Sequence, residues 1–105
     1  MYVVVWKYKV RPADRIQFEA EYGHGGAWVS LFRGSKGYVG SKLYAGTDNH
    51  YLLIDAWDTR KSYENFLEAK QVQYQHLSDQ FKYLYAEEIR IGDFHELNEA
   101  LSSIL

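Results

Sequence analysis

The sequence predicts an α+β fold of the ferredoxin-like kind, with the element order β-α-β-β-α-β. Four segments alternate apolar and polar residues with the period of two that is typical of strands. Two longer stretches between them repeat aromatic and aliphatic residues at helical spacing. Turn residues at positions 46–49 separate the second strand from the third, which predicts a hairpin there. Together these observations predict one four-stranded sheet covered by helices.

The N-terminal half is predicted to contain one strand and a broken helix. The strand covers residues 2–10, and Pro12 follows it at a position that suits the first turn of a helix. Residues 13–22 have a helical pattern, the glycine-rich segment 23–26 interrupts it, and residues 27–33 resume it. The glycines are interpreted as a helix break, because no phosphate-binding motif accompanies them.

The C-terminal half repeats the alternation of strands and helix. The second and third strands are predicted over residues 38–45 and 51–57, after a turn at 34–37. A long helix covers residues 59–83, begins at a Thr59 cap and divides near residues 69–70. The fourth strand covers residues 84–94. We therefore expect one domain over residues 1–95 and a tail, residues 96–105, that forms a short helix.

Composition excludes several classes of function. The chain has 105 residues, 47% of them hydrophobic, and a formal net charge of −2, which argues against nucleic acid or an anionic membrane as partner. It has no cysteine, which excludes disulfides, thiolate catalysis and iron–sulfur clusters. No two histidines lie four apart on a helix, so we expect no metal site. No long apolar run or leader pattern is visible, so a cytoplasmic protein is expected.

One face of the predicted sheet has nothing in the chain to cover it. The helices occupy one face, whereas the other still carries aromatic and aliphatic side chains. Such a face is most simply hidden against a second copy. The sequence therefore predicts a homodimer in which two sheets form an eight-stranded barrel.

The chain resembles the antibiotic biosynthesis monooxygenase-like family. The resemblance rests on Asp55-Ala56-Trp57 followed by the Thr59 cap, on the aromatic start of the first strand, and on Trp28 with Leu31-Phe32. Gly37-Tyr38-Val39-Gly40 and Glu87 with Ile91-Gly92 and Phe94 continue the pattern. The resemblance implies a dimeric α+β barrel.

The resemblance also implies an enzyme that needs no bound cofactor and oxygenates an aromatic or quinone-type small molecule. Such an oxygenase supplies a base, donors for the substrate anion and a dry pocket. We predict His76 and His24 as the proton-handling residues. The predicted substrate-binding residues line an apolar cleft between sheet and helices: Trp6, Trp28, Phe32, Tyr63 and Phe66.

Two other functions stay open. Heme-degrading members carry a Trp and, ten residues later, an axial His on the long helix, and this chain has Phe66 and His76 there. Those members also carry an Asn near the position of Trp6. His76 is otherwise interpreted as a solvated surface residue, and the chain as a non-catalytic ligand-binding or assembly protein. Asp55 is expected to be structural and, if buried, to need a partner such as Arg90, Arg33 or backbone N–H groups.

Overall fold

A computed structural model describes residues 1–97 and shows a four-stranded antiparallel sheet with helices on one face. The strands are β1 (Tyr2–Lys9), β2 (Tyr38–Ala45), β3 (His50–Trp57) and β4 (Glu87–His95). The helices are α1 (Arg15–Tyr22), α2 (Ala27–Phe32) and α3 (Arg60–Phe81). The strand order is β2-β3-β1-β4, which confirms the predicted ferredoxin-like arrangement.

Element boundaries differ from the predictions where short 3-10 turns occur. Pro12–Asp14 forms a 3-10 turn before α1, with Pro12 at the start, where a missing N–H costs no helical hydrogen bond. Lys82–Leu84 forms another, so β4 begins at Glu87 rather than at residue 84. Leu84 is fully buried and anchors this turn against the core. Glu96 and Leu97 are not helical, and the rest of the predicted tail helix lies outside the described residues.

Helix α3 begins where the sequence predicted and is kinked where it was expected to divide. The Thr59 hydroxyl accepts a hydrogen bond from the Ser62 N–H at 3.1 Å, which satisfies one free donor of the first turn. Lys70 has φ −118° and ψ 19°, values outside the helical range. The helix direction changes there, and its second half brings Phe81 into the core.

The core is aromatic and lies between the sheet and the helices. Trp57 is completely buried, and its ring lies 5.2–5.8 Å from the rings of four aromatic neighbours. A second cluster brings the Tyr8 ring to 5.2 Å from both Phe18 and Tyr22. Contacts of this size add to the apolar area that each ring buries. The neighbours of Trp57 are Phe32, Tyr38, Tyr63 and Phe66.

The opposite sheet face is open in the single chain. Val3 pairs with Ala56 and Phe94, and Val5 pairs with Ile54. Their side chains therefore lie on the face away from the buried Tyr2 and Val4. Phe94 is 49% exposed, and other apolar side chains of this face are similarly uncovered. No helix over residues 1–97 is long and apolar enough to cross a membrane.

Candidate functional site

Three of the five predicted substrate-contacting residues lie inside the aromatic core. Trp28, Phe32 and Phe66 are 8%, 4% and 3% exposed, and Phe32 packs on Phe66 with ring centroids 5.1 Å apart. Trp6 and Tyr63 are half-buried at the margin of this core. Two open hollows lie on the surface, one along α3 and one beside β2, and neither is lined by Trp6, Trp28 or Phe32. A substrate role for these five residues stays a prediction.

One hollow is an open groove of about 780 Å³ along α3, here called the α3 groove. It spans the kink at Lys70, which bends the helix and leaves a concave side. His76 is exposed in it, beside the half-buried Leu67 and Tyr74. The Tyr74 ring lies 5.0 Å from that of Trp28, so the groove floor is continuous with the core. Its polar lining comprises Glu68, Gln71, Gln75, His76 and Asp79.

A second open region, here called the β2-edge hollow, lies between the glycine segment and strand β2. It consists of two adjoining spaces of about 310 and 370 Å³, and His24 and Ser41 line both. His24 is exposed because Gly23 and Gly25 flank it in the turn between α1 and α2. Arg33 and Tyr38 line the second space. The two predicted proton-handling histidines, His24 and His76, thus line separate hollows.

A buried carboxyl group lies directly behind the β2-edge hollow. Asp55 is 5% exposed, and its Oδ1 accepts a hydrogen bond from the Ser41 hydroxyl at 2.7 Å. The Tyr38 hydroxyl is in turn 2.7 Å from Ser41 Oγ. Burial raises the pKa of Asp55 to about 6, and the hydrogen bond from Ser41 opposes part of that rise. A carboxyl group with this pKa can change protonation state near neutral pH.

The predicted arginine partner of Asp55 is wrong. Arg90 forms its ion pair with Asp93 at 3.8 Å, and no ion pair among residues 1–97 involves Arg33 or Asp55. The hydrogen-bond partner of Asp55 is Ser41, because a β-bulge in β2 puts the Ser41 side chain on the same sheet face as Asp55. Alternation read from the sequence places Tyr38 and Ser41 on opposite faces, so the pattern could not identify this contact.

Tyrosine–carboxylate hydrogen bonds occur at three other points of the core margin. The Tyr2 hydroxyl donates to Asp93 at 2.7 Å and the Tyr8 hydroxyl to Glu88 at 2.8 Å. Burial and the neighbouring carboxylate raise the pKa of Tyr2 to about 12, whereas the hydrogen bond from Tyr2 lowers the pKa of Asp93. The Tyr51 hydroxyl donates to Glu19. These pairs satisfy hydroxyl groups that burial would otherwise leave without partners, and their role is structural.

No group of three or more metal-ligating side chains occurs among residues 1–97. Besides the charged side chains of its lining, each hollow has one exposed imidazole, and a buried carboxyl group lies behind the β2-edge hollow.

Comparison with known proteins identifies the family and the fold. Residues 1–76 match the family model described as antibiotic biosynthesis monooxygenase. SnoaB, a cofactor-independent oxygenase from Streptomyces nogalater, superposes with a TM-score of 0.72 at 20% identity, over 93% of this chain and 94% of that chain. Rv0793 from Mycobacterium tuberculosis superposes with a TM-score of 0.64 at 17% identity, over 94% of this chain and 97% of that chain.

A third solved structure contains a bound porphyrin. It is a mutant of MhuD with two manganese protoporphyrin IX molecules per active site. It superposes with a TM-score of 0.70 at 12% identity, over 94% of this chain and 97% of that chain. A search of curated proteins found no match. At these identities the structural matches establish a shared fold.

Proposed function

The chain belongs to the antibiotic biosynthesis monooxygenase family, and on that premise we propose that it is a cofactor-independent monooxygenase of an aromatic, phenol- or quinol-type small molecule. The observation that carries the proposal is the exposed His76 imidazole in the α3 groove, beside the side chains of Leu67 and Tyr74. Such a groove offers an apolar surface for a ring and one base for its hydroxyl group.

The proposed reaction draws all its electrons from the substrate. A hydroquinone and O₂ give a hydroxyquinone and water: one oxygen atom enters the ring, and the other leaves as water with two hydrogens from the substrate. His76 takes the hydroxyl proton first, because a phenolate gives an electron to O₂ far more readily than a phenol. Glu68 and Asp79 line the same groove.

Trp6 and Tyr63 lie outside the lining of the α3 groove and are proposed as further substrate-contacting residues. Both are half-buried and pack at the core margin, where a side chain can move without opening the centre. Trp28 and Phe66 lie behind the groove residue Tyr74: their rings are 5.0 Å and 6.3 Å from its ring. Phe32 packs on Phe66 in the core. His24 lies in the β2-edge hollow and takes no part in this reaction.

Heme is the second candidate ligand, because His76 is exposed in the α3 groove. The negative charges of the α3 groove do not fit heme. Heme carries two ionised propionates, and the α3 groove presents Glu68 and Asp79 without a lysine or arginine in its lining. Carboxylates in the lining disfavour the binding of an anionic ligand, whereas a phenol arrives uncharged. We therefore favour the phenol as the ligand of the groove.

The functional unit is proposed to be a homodimer. The open sheet face carries Val39 and Ile89, which are 59% and 51% exposed, and other apolar side chains lie between them. Monomeric proteins rarely leave a contiguous apolar surface of this extent in water. A second sheet packed on this face would hide it and leave both helical faces, and so both α3 grooves, accessible.

Oxygen uptake tests the proposal. Purified protein and a panel of hydroquinones should consume O₂, and His76→Ala should lower kcat by about 10²-fold, the lower range for loss of a general base. Gln73→Ala is the matched control, because Gln73 is exposed on the same helix outside the groove lining. Added heme should give no sharp Soret band. Uptake that survives His76→Ala unchanged would remove His76 from the reaction, and a His76-dependent Soret band would favour heme.

A further inference from the structure

A β-bulge places two hydroxyl groups on the same side of strand β2. Tyr38 pairs with Trp57, Gly40 with Ala56 and Ser41 with Asp55, so Val39 is the extra residue. In a regular strand residues 38 and 41 would face opposite sides of the sheet. The bulge turns Ser41 inward, beside Tyr38, and bulges of this kind commonly re-aim a side chain next to a functional site.

The carboxyl group of Asp55, to which Ser41 donates, is buried and has no cationic partner among residues 1–97. Asp55 forms no ion pair with any residue from 1 to 97. The ionisable groups that face it are hydroxyls, Tyr38 from β2 and Tyr63 and Tyr74 from α3, and α2 has no ionisable side chain. An unpaired buried carboxylate destabilises the fold. Groups of this kind are concentrated at sites that move protons.

Ser41 connects this carboxyl group to open space. Its hydroxyl hydrogen is directed to Asp55, and one of its two lone pairs can accept from Tyr38. The second lone pair is free to accept from a molecule in the β2-edge hollow, which Ser41 lines together with His24. Arg33 lines the space next to Tyr38 and forms no ion pair within the described chain, so it can face an anion there.

We propose that the β2-edge hollow is a second small-molecule site, which binds a single-ring phenol and transfers its hydroxyl proton through Ser41 to Asp55. The site shares no lining residue with the α3 groove and does not depend on the proposed oxygenation.

Size and charge select this ligand class. A cavity of about 150 Å³ holds one benzene ring, and the two spaces of the hollow measure about 310 and 370 Å³. Val29 and Leu43 provide apolar wall on either side of Ser41. A carboxylic acid would arrive ionised, and Asp55 would repel it. An aliphatic alcohol holds its proton too tightly for a carboxylate to remove, whereas a phenol is acidic enough.

The proton transfer conserves atoms and charge. The phenol O–H bond breaks and its hydrogen passes to Ser41 Oγ, while Ser41 gives its own hydrogen to Asp55 Oδ1. Ser41 is unchanged, Asp55 becomes neutral, and one negative charge moves from the carboxylate to the phenol oxygen. Arg33 and His24 line the space that receives this charge. No oxidant or cofactor is involved.

The test uses 4-nitrophenol, because its phenolate is coloured and the neutral phenol is not. At a pH slightly below the pKa of the free phenol, wild-type protein should increase the phenolate absorbance saturably. Ser41→Ala and Asp55→Asn should each weaken this signal roughly tenfold or more, the effect of losing one hydrogen bond to a charged group. Ser30→Ala should leave it unchanged, since Ser30 is exposed on α2 outside the hollow lining.

The position of the probe gives an independent readout that needs no variant. In the wild-type protein the amide resonances of residues 24, 40 and 41 should shift on titration, in addition to any shift of residues 71 and 75 that binding in the α3 groove causes. Absence of binding, shifts confined to α3, or a phenolate signal retained in Asp55→Asn would each overturn the proposal. If Asp55→Asn does not fold, the wild-type shifts and Ser41→Ala decide the matter.

Discussion

Replacement of Asp55 by asparagine should stabilise the protein at neutral pH. The pKa of this carboxyl group is about 6 in the folded chain against 3.8 without burial. The folded state therefore binds a proton more tightly than the unfolded state, so stability is fully present below pH 3.8 and falls as pH rises through 6. A difference of about 2 pKa units at 1.36 kcal/mol each corresponds to about 3 kcal/mol lost by pH 8. The Asp55→Asn carboxamide accepts the same Ser41 hydrogen bond and carries no charge.

Denaturant unfolding between pH 4 and pH 8, at fixed protein concentration, measures this effect. The variant should gain up to about 3 kcal/mol over wild type at the upper end and match it at the lower end. Asp93→Asn is the control of opposite sign. The Tyr2 hydrogen bond lowers the pKa of Asp93, so its contribution is present at neutral pH and is lost on acidification. A stability difference for Asp55→Asn that does not vary with pH would refute the argument from burial.

Three further predictions concern the fold and its assembly. Trp57→Ala should lower the free energy of unfolding by about 3 kcal/mol, the low end of the range for a large core aromatic. The low end is expected because the Trp57 N–H is buried without a partner among the described residues. An unchanged melting temperature would contradict the burial of Trp57. Gly37→Ala should cost about 1–3 kcal/mol, since Gly37 has φ +89° and an added Cβ meets the Asp58 and Ser62 side chains; Gly25→Ala, where space is open, should cost less. The dimer should bury more than about 2,000 Å², and sedimentation as a stable monomer at micromolar concentration would contradict it.

The fold could be predicted from the sequence because its signals are periodic and local. Strand β3 alternates buried and half-buried residues along its whole length, and the Thr59 cap fixes the start of α3 at the residue expected. Even the irregularity near residues 69–70 was confirmed, as the kink at Lys70. Trp57 ends β3 at a buried position of this alternation and is completely buried.

The candidate sites were harder to predict because they depend on breaks in that periodicity. The bulge in β2 changes the face of Ser41, and only a defined backbone reveals that this serine, rather than an arginine, meets Asp55. A similar irregularity in β4 places Arg90 and Asp93 on the same side as Trp6 and Val4. Sequence alternation also cannot show which aromatic residues fill the core: Trp28 and Phe32 are buried there, whereas His76 is exposed in a groove that forms where α3 bends.

Isotope labelling tests the central claim, monooxygenation without a cofactor, most directly. Protein shown to be free of metal and flavin would be incubated with a hydroquinone that supports O₂ uptake, under O₂ made of the heavy oxygen isotope. We predict one labelled atom in the hydroxyquinone, the other in water, and formation of both about 10²-fold slower in His76→Ala. An unlabelled quinone with hydrogen peroxide formed in equal amount would show simple oxidation instead and would contradict the proposed function.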